Sequence, residues 1–204
     1  EGFNVADLGF GTANAKTVTL SFWVRSSLTG TFGGALQNEA GNRSYPYSYT
    51  IAVANTWQQV TVTIPGDTTG TWTGATNGTG LVVNFGLGAG SGKSGAAGSW
   101  TASGYYNATG ATSVVGTNGA TFYITGVQLE KGTTATSFDY RPYGTELALC
   151  QRYYQNYNSN GSTNFMIGAG YAASSSAVYR WGFSLNETMR AAPTLTFTNV
   201  SVWS

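Results

Sequence analysis

The sequence predicts an all-β protein: an antiparallel jelly-roll sandwich, followed by a short helix and a second, smaller and incomplete β module. Apolar and polar residues alternate with a period of two in several segments, which is typical of half-buried strands. Turn-forming residues separate those segments, and the chain contains 29 glycines. Because no helical pattern precedes Gly144, we assign residues 1–143 to the jelly roll and residues 144–204 to the helix and the second module.

Strands of the first module are predicted at residues 17–25, 29–37, 45–54, 57–64, 81–87, 100–106 and 121–129. The alternation is clearest in residues 17–25 and 57–64, and it predicts one buried face in each strand. Pro46 places its strand at a sheet edge or at the strand start, since proline lacks the amide hydrogen that a central strand donates. A change of parity at Gly126 indicates a β-bulge. Trp57 opens its strand, and we assign it to the core.

The second module begins after Pro142. Leu147, Cys150 and Tyr154 recur at helical spacing, which predicts a short helix with Cys150 as a buried, small apolar residue. We expect this helix to turn into a strand near Arg152. Further strands are predicted at residues 164–168, 177–184 and 194–200. The chain stops in strand-like sequence, so we expect it to be part of a longer polypeptide.

Charge and composition exclude several classes of function. The net charge is +1, and the nine basic residues are scattered, so neither nucleic acid nor an anionic membrane is an expected partner. No apolar stretch is long enough to insert into a membrane. The chain has no histidine and one cysteine, which excludes the usual zinc sites and a Ser-His-Asp triad. Residues 90–95 match a GxGxxG pattern, but a poor helix former follows them, so nucleotide binding is rejected.

The carboxylates are the remaining candidates for chemistry. Glu39, Asp67, Glu130 and Asp139 lie in predicted turns or at strand ends. A converging pair could hydrolyse glycosides, whereas separate carboxylates have solvated or salt-bridged structural roles. We favour the structural roles and predict no catalytic residue. Jelly rolls often bind calcium through oxygen ligands, so Ca²⁺ is the one cofactor left open, with Asp139 as its candidate ligand.

Aromatic residues in polar, glycine-rich loops are the candidates for glycan binding: Trp72, Trp100, Tyr105 and Tyr106. An exposed aromatic ring stacks on the C–H surface of a sugar, and neighbouring Asn, Thr and Gln side chains bind the sugar hydroxyls. The alternative is that these side chains plug the open ends of the sandwich, with their polar tips bonded to backbone or water.

Residues 127–155 have the sequence VQLEKGTTATSFDYRPYGTELALCQRYYQ. This stretch resembles a signature common near the C-terminal ends of structural proteins of tailed bacteriophages, notably tail-fibre and other virion appendage proteins. Residues 19–32, 56–72 and 86–91 resemble the same domain, and residues 188–194 resemble the small β module that often follows it. The resemblance implies a carbohydrate-binding-module-like jelly roll on a virion surface, often carried by a trimeric fibre. It supplies no catalytic motif that matches this chain.

The expected function follows from these residues and from the resemblance. We expect a non-enzymatic protein at the virion surface, a tail-fibre or appendage segment that contacts polysaccharide of the host cell surface. Its other partners would be sister subunits, in an expected homotrimer, and other virion proteins. One alternative is a purely structural virion module that binds no sugar. The other is a glycan depolymerase, which needs two carboxyl groups about 5–9 Å apart beside an open cleft.

Overall fold

The computed structural model describes residues 1–157, 169–172, 179–182, 184–194 and 196. The chain divides into two compact units, Glu1–Asp139 and Tyr140–Ser204, whereas the sequence pattern predicts a division after residue 143. No helix among the described residues is long and apolar enough to cross a membrane.

The first unit consists mainly of antiparallel strands, which confirms the predicted all-β class. Its strands are β1 Val18–Ser26, β2 Gly30–Gln37, β3 Ser44–Ile51, β4 Gln58–Ile64, β5 Val82–Gly86, β6 Ser94–Gly95, β7 Asn107–Ala108 and β8 Phe122–Lys131. One antiparallel sheet has the order β4-β1-β8 and the other has the order β3-β2-β5. Strands β6 and β7 form a short parallel pair. The jelly-roll connectivity stays a prediction, because this strand order does not establish it.

The two larger sheets share one hydrophobic core. Val18, Leu20, Phe22 and Val24 of β1 are fully buried, as their alternation predicts. The Phe22 ring also contacts the other sheet, where the ring centroid of Tyr49 lies 5.1 Å away in an edge-on arrangement. The other buried residues of this core are Leu8, Phe32, Leu36, Tyr45, Tyr47, Ile51, Val60, Ile64 and Val114. The alternation in β1 therefore determines which side of the strand packs between the sheets.

A glycine in the middle of β2 allows the neighbouring strands to approach closely. A methyl group on Gly34 would lie 2.0 Å from the backbone oxygen of Asn84 and 2.5 Å from the hydroxyl oxygen of Tyr47. The Tyr47 hydroxyl donates a hydrogen bond of 2.8 Å to that Asn84 carbonyl. Burial, together with the nearby Tyr49, raises the pKa of Tyr47, so this hydroxyl remains a donor. Glycine usually weakens a strand, and this close contact explains its presence here.

Three local predictions for the first unit have different outcomes. Strand β3, which contains Pro46, is an edge strand as predicted. Gly126 has a left-handed φ of 58°, and the β1–β8 register shifts beside it, which confirms the bulge. The strand predicted at residues 100–106 is wrong. Only Thr101 pairs there, in a single bridge to Ser44, because the chain crosses the end of β3 without running along it.

The chain after β8 turns back over the outer side of the β4-β1-β8 sheet. We call residues 133–139 the strap. The side-chain oxygen of Gln128 in β8 accepts a hydrogen bond of 2.8 Å from the amide of Asp139. The Glu130 carboxylate accepts one of 3.0 Å from the amide of Thr136 and another from its hydroxyl. Hydrogen bonds from Thr136 and Gln128 hold the pKa of the Glu130 carboxyl below its ordinary value. These bonds fix the strap to the sheet.

The described elements of the second unit are α1 Tyr143–Gln151 and the antiparallel pair β9 Ala169–Ala172 and β10 Tyr179–Gly182. The predicted short helix is confirmed, but Cys150 is exposed and no residue of α1 is buried. Helical spacing groups side chains on one face without showing what covers that face, so the prediction of a buried Cys150 is wrong. Residues 152–157 form a turn and irregular chain instead of the predicted strand. The strand predicted at residues 164–168 and most of that at 194–200 lie outside the described residues.

Candidate functional site

Two of the four predicted glycan-binding residues, Trp72 and Trp100, lie together at one end of the sandwich. Their ring centroids are 5.5 Å apart with perpendicular planes, and both rings pack edge-on against Phe10. The Trp100 indole donates a hydrogen bond of 2.7 Å to the Pro65 carbonyl, and the Trp72 indole donates one to the Asp67 carboxylate. Both side chains are half-buried, and their N–H groups are satisfied within the protein. This packing favours the alternative in which these residues plug the end of the sandwich.

Asp67 is the buried anchor of this end. Its carboxylate accepts hydrogen bonds of 2.8 Å from Nε and 2.5 Å from Nη2 of Arg43. The Trp72 indole, the Thr69 amide and the Thr69 hydroxyl each donate to it at 3.2 Å. Burial alone would raise the pKa of Asp67, but the donors outweigh burial, and the pKa of the carboxyl lies below its ordinary value. Asp67 therefore remains ionised as part of the fold.

The other two predicted residues, Tyr105 and Tyr106, have different surroundings. The Tyr105 ring packs on Gly95, where an added methyl group would lie 2.2 Å from a ring carbon. The Tyr106 ring is exposed and lines a groove of about 340 Å³. Lys93 Nζ lies 5.5 Å from the centroid of the Tyr106 ring. The GxGxxG stretch beside it contains only a three-residue 3-10 helix, Ser91–Lys93, rather than the opening of an α-helix. Of the four candidates, Tyr106 is the one with an exposed ring.

The candidate carboxylates do not gather into a metal site in the part of the chain that the structure describes. No three His, Cys, Asp or Glu residues lie close enough there to hold an ion together. Asp139, the predicted calcium ligand, is exposed on the strap. Glu39 accepts hydrogen bonds of 2.6 Å from the Thr73 hydroxyl and 3.2 Å from the Thr79 amide, so it holds a loop. Like Asp67, Glu39 therefore has a structural role.

The outer side of the β4-β1-β8 sheet carries exposed aromatic residues other than the four predicted glycan-binding residues. Trp23 of β1, Trp57 just before β4 and Tyr123 of β8 are 42%, 42% and 44% exposed. Phe138 of the strap is 39% exposed. A methyl group on Gly126 would lie 3.4 Å from the Trp23 ring and 3.8 Å from the Phe138 ring, so these two flank the same point. We call Trp23, Trp57, Tyr123 and Phe138 the aromatic face. Grouped exposed aromatics of this kind mark binding surfaces.

Strand register explains how the rings come together. Trp23 lies opposite Gln59 of β4 and opposite Thr125 of β8. Residues two apart in a strand point to the same side, so Trp57 shares a side with Gln59, and Tyr123 shares one with Thr125. The Trp57 and Tyr123 rings reach over the central strand to a centroid distance of 6.5 Å. Trp23 is thus a diagonal neighbour of both Trp57 and Tyr123, which lie on either side of β1.

Arg25 adds a positive charge to this surface. It lies opposite Tyr123 in the register, and its guanidinium carbon is 4.8 Å from the centroid of that ring, within cation–π range. Within the described residues the guanidinium forms no ion pair, and its buried Nε–H has no hydrogen-bond partner. The cation is therefore held beside an aromatic ring rather than by a carboxylate of the described chain.

The aromatic face has the chemistry of a sugar-binding surface. Its rings can cover the apolar C–H side of a pyranose. Gln59, Thr61 and Thr125 are exposed on the same side of the sheet. Amide and hydroxyl groups both donate and accept hydrogen bonds, which suits the hydroxyls of a sugar. The arrangement offers stacking surfaces and hydrogen-bonding groups to a ligand.

The signal for this surface is present in the sequence, but the assignment of Trp57 to the core is wrong. Trp57 has the parity of the outward Gln59, whereas the buried residues Val60 and Ile64 have the opposite parity. Tyr123 is likewise the outward residue in its part of β8. The strand order, which places β1 between β4 and β8, is the information that alternation does not contain.

Comparison with models of protein families, with curated proteins and with solved structures finds no match to this chain. The resemblance of residues 127–155 to virion appendage proteins therefore stays a prediction. In the structure these residues comprise the end of β8, the strap and the α1 region.

Proposed function

We propose that this chain is a non-enzymatic virion appendage module that binds polysaccharide of the host cell surface through the aromatic face. The observation that carries the proposal is the exposure of Trp23, Trp57 and Tyr123 as neighbours on one side of a sheet. The resemblance of residues 127–155 supports the virion part of the proposal. The aromatic face supports the glycan part, because exposed rings grouped on the outer side of a sheet are available for a ligand to stack on.

The aromatic face is a better glycan surface than the predicted Trp72 and Trp100 pair. Stacking on a sugar requires an open ring face, and both of those residues are half-buried with their indole N–H groups bonded internally. Trp23 and Trp57, by contrast, are exposed and donate no hydrogen bond from their indole nitrogens within the described residues. An indole N–H that is open to solvent can bind a sugar hydroxyl while the ring stacks. The aromatic face therefore offers both contacts from the same side chains.

The general composition of the protein agrees with a ligand that is rich in hydroxyls. Only 8% of the residues are charged, while aromatic residues make up 14%. Interfaces that recognise ligands through a few aromatic anchors and adaptable hydrogen bonds use this combination. A nucleic acid would require a patch of basic residues, so the low content of charged residues favours polysaccharide over nucleic acid as the ligand.

A second candidate function, assembly with sister subunits or other virion proteins, is favoured by the α1 region. Tyr140, Tyr143 and Tyr154 are 86%, 80% and 71% exposed, and Leu147 and Leu149 are 40% and 42% exposed. Apolar side chains occur around the whole helix rather than on one stripe. A helix of this kind is typical of a segment that is covered by a partner chain. This function is compatible with glycan binding by the first unit.

The purified chain is expected to bind at least one polysaccharide from a panel of bacterial surface polysaccharides, saturably and without releasing oligosaccharide. Isothermal titration calorimetry measures the binding, and chromatography of each mixture detects cleavage products. Sedimentation of the same sample gives its oligomeric state. If an assembled oligomer binds no member of a broad panel, the purely structural function replaces the glycan-binding one. Release of oligosaccharide would instead indicate a depolymerase.

A further inference from the structure

We propose that the aromatic face selects acidic polysaccharides, and that Arg25 binds the carboxylate of a uronic acid or another carboxyl-bearing sugar. This inference rests on the proposed function and adds a ligand class to it. Its starting point is the juxtaposition of a guanidinium with the rings of Tyr123 and Trp57, whose centroids are 6.5 Å apart.

The charge of Arg25 lacks a counter-ion in the described part of the chain. The pairs Arg43–Asp67, Lys131–Asp7 and Arg141–Glu146 do not include Arg25. Arg25 is also half-buried, and its buried Nε–H donates no hydrogen bond. A half-buried cation without a neighbouring anion is unfavourable, whereas a bound oxyanion neutralises it. The surface is therefore electrostatically complementary to an anionic ligand.

The position of Arg25 suits recognition rather than general attraction. Its stacking against Tyr123 restricts the side chain, so less conformational freedom is lost when a ligand binds. A guanidinium presents N–H groups in a planar fork, which matches the two oxygens of a carboxylate. Arg25 lies in the central strand, with Tyr123 in β8 on one side of it and Trp57, just before β4, on the other. A sugar ring can thus stack while its carboxylate meets the guanidinium.

A free phosphate or sulfate ion can bind the Arg25 guanidinium as a carboxylate does, but it has no ring that stacks on the aromatic side chains. Inorganic phosphate presents no apolar C–H surface to the rings of Trp57 and Tyr123, so it uses only Arg25. A carboxyl-bearing sugar engages the rings and the cation together. We therefore expect the acidic polysaccharide to bind well at a concentration at which inorganic phosphate does not displace it.

The test uses the whole chain and matched pairs of ligands. Acidic polysaccharides with carboxyl-bearing sugars are each compared with their carboxyl-reduced, neutral forms by calorimetry. Reduction of the carboxyls is expected to weaken binding about tenfold or more, which is the usual loss for a charge-assisted hydrogen bond. Arg25→Gln is expected to weaken binding of the acidic form by a similar factor and to leave the neutral form unaffected. Lys93→Gln removes the same charge beside Tyr106 and is expected to change neither affinity.

Each outcome separates this inference from the proposed function. Equal affinity for the acidic and neutral forms, or full affinity in Arg25→Gln, overturns the role of Arg25 while glycan binding itself survives. A loss in Lys93→Gln instead of Arg25→Gln places the site in the Tyr106 groove. Binding of no polysaccharide at all overturns the proposed function, and this inference with it. Arg25→Lys keeps the positive charge but lacks the planar fork, so it is expected to fold as the unsubstituted chain does and to retain part of the selectivity.

Discussion

Replacing Asp67 with asparagine is expected to destabilise the first unit by about 3–5 kcal/mol, the usual loss when one partner of a buried ion pair is removed. The substitution leaves the half-buried guanidinium of Arg43 without its bidentate acceptor. It also weakens the hydrogen bonds from Trp72 and Thr69, which hold the loop at this end of the sandwich. Urea-induced unfolding, followed by tryptophan fluorescence at pH 7, measures the change in the free energy of unfolding.

The Asp67→Asn variant also tests how the stability of the protein depends on pH. The pKa of Asp67 is lowered in the folded protein, so its contribution to stability is complete above the ordinary aspartate value of about 3.9 and is lost as the pH falls through the lower, folded value. The stability of the unsubstituted protein should therefore fall below about pH 4 through this group. The difference between the two proteins should shrink over the same range.

Asp7→Asn is the matched control, because it removes an identical charge from an exposed ion pair with Lys131. We expect it to change the stability much less than Asp67→Asn does. A loss of under about 1 kcal/mol in Asp67→Asn at pH 7 would show that the Arg43–Asp67 pair contributes no more than a surface pair.

Replacing Trp23 and Trp57 together with alanine is expected to abolish polysaccharide binding while the protein remains folded. Residues at the centre of a binding surface contribute about 2 kcal/mol or more each, so the loss of both should weaken binding by about three orders of magnitude. Each side chain is nearly half exposed, and its removal leaves no cavity between the two sheets. Calorimetry with a polysaccharide bound by the unsubstituted chain measures the loss, and urea unfolding of the same samples measures folding.

Tyr106→Ala is the control for this pair, since it removes an equally exposed aromatic ring from another part of the surface. It is expected to bind as the unsubstituted chain does. A reversed result, with binding lost in Tyr106→Ala and kept in the double variant, would move the glycan site to the groove beside Lys93.

The strands of the first unit were predictable where a single strand carries its own signal. Alternation in β1 identifies Phe22 as buried and Trp23 as outward, and both assignments hold. The bulge is predictable because Gly126 breaks the parity of β8. The strand expected at residues 100–106 fails, because whether a short segment pairs along a strand or crosses it once depends on the partner, and Thr101 makes a single bridge to Ser44.

The candidate site required information that lies far apart in the sequence. The hydroxyl of Ser26 in β1 bonds to the carbonyl of Thr121, 95 residues away, and this long-range pairing brings Tyr123 beside the central strand. The parity of Trp57 was readable, but a tryptophan at a strand start is apolar enough to be assigned to the core. For the loop tryptophans, the prediction and the structure differ in the opposite direction. Polar, glycine-rich neighbours indicated exposure, whereas packing and internal hydrogen bonds cover much of Trp72 and Trp100.

One measurement distinguishes the aromatic face from the aromatic cluster at the end of the sandwich. The chain has six tryptophans, so the indole N–H region of a nitrogen–proton NMR spectrum is simple, and single Trp→Phe variants assign each signal. During titration with an oligosaccharide prepared from a bound polysaccharide, the signals of Trp23 and Trp57 are expected to shift, and those of Trp72 and Trp100 are expected to stay in place. Saturable binding that shifts only Trp72 and Trp100, or no tryptophan signal, would contradict the assignment of glycan binding to the aromatic face.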